Sequence, residues 1–103
     1  MELISYDIDD YSDNGVIYPK NCNGVVFVNC GDVDATINGI PLPAGAENDL
    51  FNRNFPGQII YNDFSLVFTA GSLGTNKFVK AIRKNLTHVP VAEECKYIKN
   101  LNP

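Results

Sequence analysis

Residues 29–45 read Asn-Cys-Gly-Asp-Val-Asp-Ala-Thr-Ile-Asn-Gly-Ile-Pro-Leu-Pro-Ala-Gly and carry the clearest structural signal in the chain. Apolar residues alternate with other residues on both sides of Asn38-Gly39. Asn-Gly between two such runs is the strongest short-range signal of a β-hairpin, because a two-residue turn needs positive φ at both central positions. The stretch therefore predicts a strand, a tight turn, a second strand, a hairpin turn and a third strand.

Short strands are also expected elsewhere in the chain. The run Gly24–Asn29 is almost continuously apolar, which predicts a strand buried on both faces. Residues 64–68 alternate, with Phe64, Leu66 and Phe68 on one face. Outside residues 29–45, the predicted strands are residues 3–8, 16–18, 24–29, 58–61, 64–68 and 77–84.

The two ends of this series have less regular patterns. The Asp-rich segment 9–15 is expected to end the first strand. In the last segment, 77–84, the bases favour a strand with a solvated basic face. A short helix is the alternative there, because Phe78, Val79 and Ile82 also fit helical spacing.

Short strands at intervals of about eight to twelve residues, joined by polar turns, predict an all-β protein. The expected fold is a single-domain β-sandwich or jelly-roll-like small barrel with extended N- and C-terminal segments. Residues 1–84 form the β-sandwich domain with its Asp-rich N-terminal leader, and residues 85–103 form a C-terminal tail or arm. Residues 47–55 are left without an assignment, beyond the exclusion of a long helix.

The charge of the chain is uneven. The 103 residues carry a formal net charge of −4, with the acidic residues concentrated before Phe64 and most of the basic residues after it. A net acidic chain argues against nucleic-acid binding, which depends on phosphate neutralisation by Lys and Arg. Two interpretations stay open: the halves neutralise each other within one fold, or the acidic end meets the basic end of a neighbouring copy.

Membrane insertion and secretion are not expected. No apolar run approaches the roughly 18–20 residues that span a bilayer. The N-terminal residues Met-Glu-Leu-Ile-Ser-Tyr-Asp lack the basic segment and apolar core of a signal peptide. We expect a protein that stays in the cell that makes it, or that is packaged there into something larger.

The cysteines and the histidine do not form a metal-binding pattern. Cys22, Cys30 and Cys95 lack C-x-x-C spacing, and His88 is the one histidine. A zinc site normally needs four well-spaced ligands, so none is predicted. Free thiols are expected, and a bridge between Cys22 and Cys30 is left open.

Four aspartates form the best candidate for a cation site, because hard cations prefer several carboxylate oxygens. They are Asp7, Asp9, Asp10 and Asp13. No calcium-loop glycine and glutamate follow them at the required positions, so a solvated acidic turn is the preferred interpretation. Whether the cluster binds a cation stays open.

No catalytic residue is predicted. His88 has no neighbouring pattern typical of a nucleophile or an acidic orienting group. Residues 71–75 contain two glycines but lack the Gly-Lys-Ser/Thr ending of a phosphate-binding loop, and are predicted as loop. The sequence therefore indicates no catalytic, cofactor-binding or metal-binding residue and no cofactor.

The aromatic residues divide between a core and an interface. Most phenylalanines fall at the inward positions of predicted strands and are assigned to the core. The tyrosines are interface candidates, because a ring with a polar tip suits a contact surface. The phenylalanines are Phe27, Phe51, Phe55, Phe64, Phe68 and Phe78, and the interface candidates are four of the five tyrosines, Tyr6, Tyr11, Tyr18 and Tyr61.

The pattern Asn-x-Gly-x5-Ile-Asn-Gly-x2-Leu-x2-Gly from Asn29 to Gly45, followed by further strands to residue 84, resembles a known class of proteins. It is similar to small β-sandwich structural proteins of tailed bacteriophage virions, which act as decoration, head-fibre, spike-base or tail-associated components. The same residues resemble half of a cupin-like jelly roll, but the histidine-rich metal motif of cupins is missing. No functional residue carries over from either resemblance, since such virion proteins act through surfaces.

The resemblance implies a non-enzymatic virion structural protein that assembles by protein–protein contacts on a phage capsid or tail. The expected partners are further copies of the chain, as a homo-oligomer, and other virion proteins. The expected location is the virion, after synthesis in the host cytoplasm. The alternative is a small β-sandwich ligand- or carbohydrate-binding module, with tyrosines and asparagines lining a shallow site.

Overall fold

The computed structural model describes residues 2–51 and 58–89, which form eight strands in two antiparallel sheets. The strands are β1 (Glu2–Tyr11), β2 (Gly15–Ile17), β3 (Gly24–Asn29), β4 (Ala35–Ile37), β5 (Ile40–Leu42), β6 (Glu47–Phe51), β7 (Phe64–Phe68) and β8 (Val79–His88). Sheet 1 has the order β1-β8-β3-β6, and sheet 2 has the order β2-β7-β4-β5. The predicted all-β class is confirmed, and the fold is β-sandwich-like.

The strand pairs are nested around the hairpin that the sequence predicted. β4 pairs with β5, β3 with β6, β2 with β7, and β1 with β8. Pairing of β3 with β8 and of β4 with β7 joins these ribbons into the two sheets. The turn at Asn38-Gly39 has φ values of 50° and 80°, as a two-residue hairpin requires, so this prediction is confirmed.

The core lies between the sheets and is built from residues that alternate inward. Phe27 of sheet 1 contacts Phe64 of sheet 2, with ring centroids 5.0 Å apart in an edge arrangement. Of the six phenylalanines assigned to the core, three are fully buried, two are partly buried and one lies outside the described residues. The buried ones are Phe27, Phe64 and Phe68, the partly buried ones are Phe51 and Phe78, and the sixth is Phe55.

The prediction that β3 is buried on both faces is wrong. Val25, Phe27 and Asn29 point into the core and are buried. Val26 and Val28 point to the outer face of sheet 1 and stay partly exposed. The apolar run of β3 therefore has only one face in the sandwich core.

β1 is longer than the sequence suggested. It continues through Asp9 and Asp10 to Tyr11, in an unbroken ten-residue register with β8. Asp9 does not end the strand, because its carboxylate accepts a hydrogen bond from Arg83 of β8 at 2.6 Å. The expected acidic turn is therefore mostly strand, and the leader is the edge of sheet 1.

The last strand also differs from its prediction. A strand over this region is confirmed, and the helical alternative is wrong. The solvated basic face is only partly correct, because strand alternation turns Arg83 inward, where it is 1% exposed. Asn85–His88, expected to begin the tail, belong to β8, and residues 90–103 lie outside the described residues.

Two segments differ in secondary structure from what the sequence suggested. Residues 58–61 were predicted as a strand, which is wrong: they form no ladder. Ile60 instead donates a single backbone hydrogen bond to the carbonyl of Cys22 at 2.8 Å. In contrast, Glu47–Phe51, left without an assignment, forms strand β6 on the edge of sheet 1.

Gly31 lies where the β3–β4 connection passes the segment before β8. A Cβ at this position would overlap the carbonyl oxygen of Asn76 and lie 2.8 Å from the backbone nitrogen of Phe78. We expect Gly31→Ala to lower the free energy of unfolding by about 2 kcal/mol in urea denaturation, because backbone must move to admit the methyl group. Gly15→Ala is the control, since a Cβ on Gly15 has no neighbour within 4 Å. Equal losses in the two variants would contradict this interpretation.

Candidate functional site

The outer face of sheet 1 carries a continuous set of apolar side chains, which we call the apolar face. The strand register places Ile8, Ile82 and Val26 side by side across β1, β8 and β3. Residues two positions away along each strand point to the same side. The apolar face consists of Ile4, Tyr6, Ile8, Val26, Val28, Ile82 and Leu86.

The β1 part of this face is the most open. Ile4 is 57% exposed, Tyr6 is 65% exposed and Ile8 is 54% exposed. The four remaining members, on β3 and β8, are partly exposed. Contiguous apolar surface of this kind is uncommon on a monomeric soluble protein and marks an interaction site more often than scattered apolar residues do.

The outer face of sheet 2 is less apolar. Val16 and Val67 are exposed there, but Ser65 lies opposite Val16 in the register, and Thr36 lies opposite Val67. Isolated apolar residues between polar ones are ordinary surface. The contrast between the two sheets singles out sheet 1 as the candidate contact surface.

Charges of both signs lie among the members of the apolar face. Asp10 is opposite Lys80 in the register of β1 and β8, and Glu47 of β6 is opposite Val28. Lys84 is opposite Tyr6. Glu2 lies on the same side of β1 as Ile4, so these residues comprise three acids and two bases, and the face offers charges of both signs to a partner.

The β1 edge of sheet 1 has a different character. β1 carries four acids, Glu2, Asp7, Asp9 and Asp10, and no base. A long edge strand offers unpaired backbone groups to other strands, and charged side chains are a common means of preventing such pairing. Pairing of two β1 edges would bring carboxylates from both copies together. The edge is therefore poorly suited to self-pairing.

A buried ion pair lies on the opposite, inward face of β1. Arg83 donates to Asp9 at 2.6 Å, to the Tyr11 hydroxyl at 3.0 Å and to the Tyr18 carbonyl through two nitrogens. Lys20 also contacts the Asp9 carboxylate, at 2.9 Å. Hydrogen bonds from Lys20 and Arg83 lower the pKa of Asp9. Burial of Arg83 opposes its charge, but bonds with Tyr11 and Asp9 outweigh it and raise the pKa of Arg83.

This network fixes the fold rather than forming a reactive site. It joins Asp9, from the acidic first half of the chain, to Arg83, from the basic second half. For this pair, the charges of the two halves neutralise each other within one fold. Among the described side chains, no buried nitrogen or oxygen lacks a hydrogen-bond partner. The Arg83 guanidinium uses four of its five N–H donors in these contacts and is 1% exposed, so it is not open to a substrate.

A second candidate site is an open cleft of about 460 Å³. It lies where the hairpin turn, the end of β6 and the segment before β7 meet. Its described lining residues are three amides, one tyrosine, two isoleucines and two phenylalanines. They are Asn38, Gln58, Asn62, Tyr61, Ile59, Ile60, Phe51 and Phe64.

The walls of the cleft are held by hydrogen bonds to the sheets. Asn23 donates from its side chain to the carbonyl of Gln58 at 2.6 Å. On the other wall, the Asn38 side-chain oxygen accepts from the backbone of Ser65 at 2.8 Å. The rings of Phe51 and Phe64 pack edge to face, with their centroids 4.8 Å apart. These contacts hold Gln58, Asn38 and the two rings in place around the cleft.

The four aspartates weighed as a cation site are not brought together. In an extended strand, Asp10 points to the opposite face from Asp7 and Asp9, and Asp13 lies beyond the strand end. Asp9 is engaged by two cations. Within residues 2–51 and 58–89, no group of three or more His, Cys, Asp or Glu side chains is placed to hold a metal ion.

The remaining sequence candidates are dispersed. Cys22 and Cys30 are both free thiols, and burial raises the pKa of Cys22. Cys95 lies outside the described residues. His88 is at the end of β8, opposite Glu2. Residues 71–76 contain neither strand nor helix, in agreement with the predicted loop.

The four tyrosines expected at an interface have different surroundings. Tyr6 belongs to the apolar face and Tyr61 to the cleft, while Tyr18 is 60% exposed away from both. Tyr11 is partly buried and packs against the core, with its hydroxyl bonded to Arg83. Its ring and hydroxyl therefore take part in contacts within the fold.

No protein-family model matches this chain, and no curated protein or solved structure matches it either. Among the described residues there is no helix with the length and apolar character needed to cross a membrane.

Proposed function

We propose that this protein is a non-enzymatic structural protein that assembles by protein–protein contacts through the apolar face, with a second copy of the chain as its partner. The observation that carries the proposal is the exposure of Ile4, Tyr6 and Ile8 beside the apolar residues of β3 and β8. The sequence of β3 is apolar enough for burial on both faces, and a partner on the outer face of sheet 1 would bury Val26 and Val28 as well.

The size of the face suits such a contact. Sheet 1 has four strands, and spacing of about 4.8 Å between strands with about 3.3 Å rise per residue gives its whole outer side, charged residues included, an area of roughly 500 Å². Two copies packed face to face would bury roughly 1,000 Å² in total, which is near the lower bound of specific interfaces. The face carries both acids and bases, so a second copy can place its acids against the bases of the first. The acidic β1 edges favour stacking of faces over pairing of edges.

The strand order supports a finer description of the fold as a jelly roll. Nested pairing of β1 with β8, β2 with β7, β3 with β6 and β4 with β5 is what results when one long ribbon of strand pairs is rolled into two sheets. Jelly rolls are used in viral capsid proteins, and also in lectins and cupins. The architecture is therefore compatible with a virion role without selecting it.

The proposed setting is the capsid or tail of a phage, where other virion proteins would be further partners. That setting rests on the resemblance of residues 29–45 and their following strands to phage structural proteins, since no comparison links the chain to them. The surfaces of the molecule support self-assembly of the purified protein, and the phage setting rests on the resemblance alone.

Ile8→Lys tests the proposal. Ile8 is 54% exposed, so the added charge costs the monomer little, but it would be buried without a partner in the assembled face. We expect native mass spectrometry and light scattering to find a dimer or larger closed oligomer of the wild type at about 100 µM, and at least about a tenfold weaker association of the variant.

Val16→Lys is the matched control, because Val16 is a similarly exposed β-branched residue on an edge strand of sheet 2. It should leave the association unchanged. A wild type that is monomeric at every concentration tested would overturn self-assembly through this face. Equal weakening by both lysine variants would show that the contact is not specific to sheet 1.

A further inference from the structure

We propose that the open cleft between the hairpin turn and the segment before β7 binds a neutral mono- or disaccharide. None of the residues that line the cleft belongs to the apolar face. The proposal therefore does not depend on the assembly, and the two succeed or fail separately.

The described lining residues favour a neutral ligand that has both polar and apolar groups. None of the described lining residues is charged, so a phosphate or carboxylate ligand would have no cation to pair with. A wholly apolar ligand would remove Asn38, Gln58 and Asn62 from water without offering them hydrogen-bond partners. A ligand with both hydroxyl groups and apolar C–H faces satisfies both kinds of lining group.

Tyr61 is the residue that favours a sugar among such ligands. Its side chain is 81% exposed, which is more than any other aromatic residue among the exposed hydrophobics. A flat aromatic ring at the mouth of a cleft offers a stacking surface for the C–H face of a pyranose ring. Its hydroxyl group can bond a sugar hydroxyl at the same time.

The amides supply the polar half of the site. The Asn38 side-chain oxygen is fixed by the backbone of Ser65, which orients the amide and leaves its NH₂ group as the available donor. Asn62 adds a donor and an acceptor beside Tyr61. The backbone of Gln58 is held by Asn23, so its position needs little ordering when a ligand binds.

The dimensions agree with a small sugar. The cleft volume of about 460 Å³ lies within the range of roughly 300–1,000 Å³ typical of small-molecule sites. The cleft is open, so only part of a ligand would be removed from water. We therefore expect weak binding, with a dissociation constant on the order of 1 mM.

Titration followed by backbone amide NMR tests the proposal, with cellobiose, maltose and N,N′-diacetylchitobiose as probes at concentrations up to about 20 mM. We expect at least one of them to give saturable shifts at Asn38 and residues 58–64. Tyr61→Ala should weaken that binding about tenfold, the loss expected from one aromatic contact.

Tyr18→Ala is the matched control, because it removes an exposed tyrosine outside the cleft and should leave the dissociation constant unchanged. Tyr61→Ala is expected to fold normally, since its ring is mostly in solvent. The proposal is overturned if none of the three sugars shifts the cleft resonances, or if Tyr61→Ala binds as tightly as the wild type. Saccharide binding that persists in Ile8→Lys would separate this site from the assembly surface.

Discussion

Asn29→Asp is expected to lower the free energy of unfolding by at least about 3 kcal/mol at pH 7, the largest effect of any single substitution considered for this protein. The side chain of Asn29 is fully buried. Its NH₂ group donates to the carbonyls of Val33 at 2.8 Å and Leu42 at 3.0 Å, and its oxygen accepts from the backbone of Gly31 at 3.1 Å. One amide thus ties the end of β3 in sheet 1 to β5 in sheet 2.

An aspartate has nearly the same shape but cannot make these contacts. An ionised carboxylate only accepts hydrogen bonds, so it would face the carbonyl oxygens of Val33 and Leu42 without a donor between them. It would also carry a charge into the core without a cation. Urea denaturation should show the loss at pH 7, and the loss should shrink at low pH, where the carboxyl group is protonated and regains one donor.

Asn14→Asp is the control for this prediction. Asn14 uses only its side-chain oxygen, which accepts from the backbone of Phe68 at 2.7 Å. A carboxylate preserves that acceptor, so stability should change by less than about 0.5 kcal/mol. If the two variants lost the same stability, the donor role of Asn29 would not be the cause.

The importance of Asn29 is not visible in the sequence. It stands at the end of an apolar run and before a glycine, where a turn residue is expected, and nothing nearby indicates two carbonyl partners. Leu42, one of those partners, is thirteen residues away across the hairpin. Asn29 and Leu42 meet only because of the relative position of the two sheets.

The local part of the fold was accessible from the sequence because its signals act over a few residues. Asn38-Gly39 identifies its hairpin through backbone conformation alone, and the alternation in β7 identifies its buried face. In contrast, Lys80, Arg83 and Lys84 form one basic group in the sequence. The register of β8 separates them, turning Arg83 into the core and the two lysines outward.

The candidate sites were accessible only in part, for the same reason. Tyr6 and Tyr61 were expected at contact surfaces, and each lies in one of the two sites. The apolar face as a whole requires the alignment of β1, β8 and β3, which are far apart in the chain. The cleft requires Asn38 to meet residues 58–62, and no periodicity within either segment indicates that meeting.

The second large effect is expected from Asp9→Ala, which should lower the free energy of unfolding by about 2–3 kcal/mol at pH 7. Removal of the carboxylate leaves Arg83, 1% exposed, without its countercharge, although the Tyr11 and Tyr18 oxygens remain as acceptors. The loss is smaller than the roughly 3–5 kcal/mol that breaking a fully buried pair costs, because the side chain of Asp9 is 33% exposed and water there screens the charge.

Asp7→Ala is the matched control. The Asp7→Ala substitution removes the same charge from the same face of β1. Asp7 lies directly opposite Arg83 in the register. Its side chain makes no hydrogen bond or ion pair to a described residue, and its replacement should cost less than about 0.5 kcal/mol. Comparable losses in the two variants would mean that general acidity of β1, not the specific bond from Arg83, supports the fold.

The pH dependence of stability tests the contribution of the Asp9 carboxylate independently. Lys20 and Arg83 lower the pKa of Asp9 in the folded protein, so folding is favoured by this group above its unfolded pKa of about 3.9. That contribution is lost as the pH falls through the lower folded pKa. The stability difference between wild type and Asp9→Ala should therefore be constant from about pH 7 to pH 5 and narrow below about pH 4. A difference that widened on acidification would require Asp9 to be protonated in the native state, contrary to its contacts with two cations.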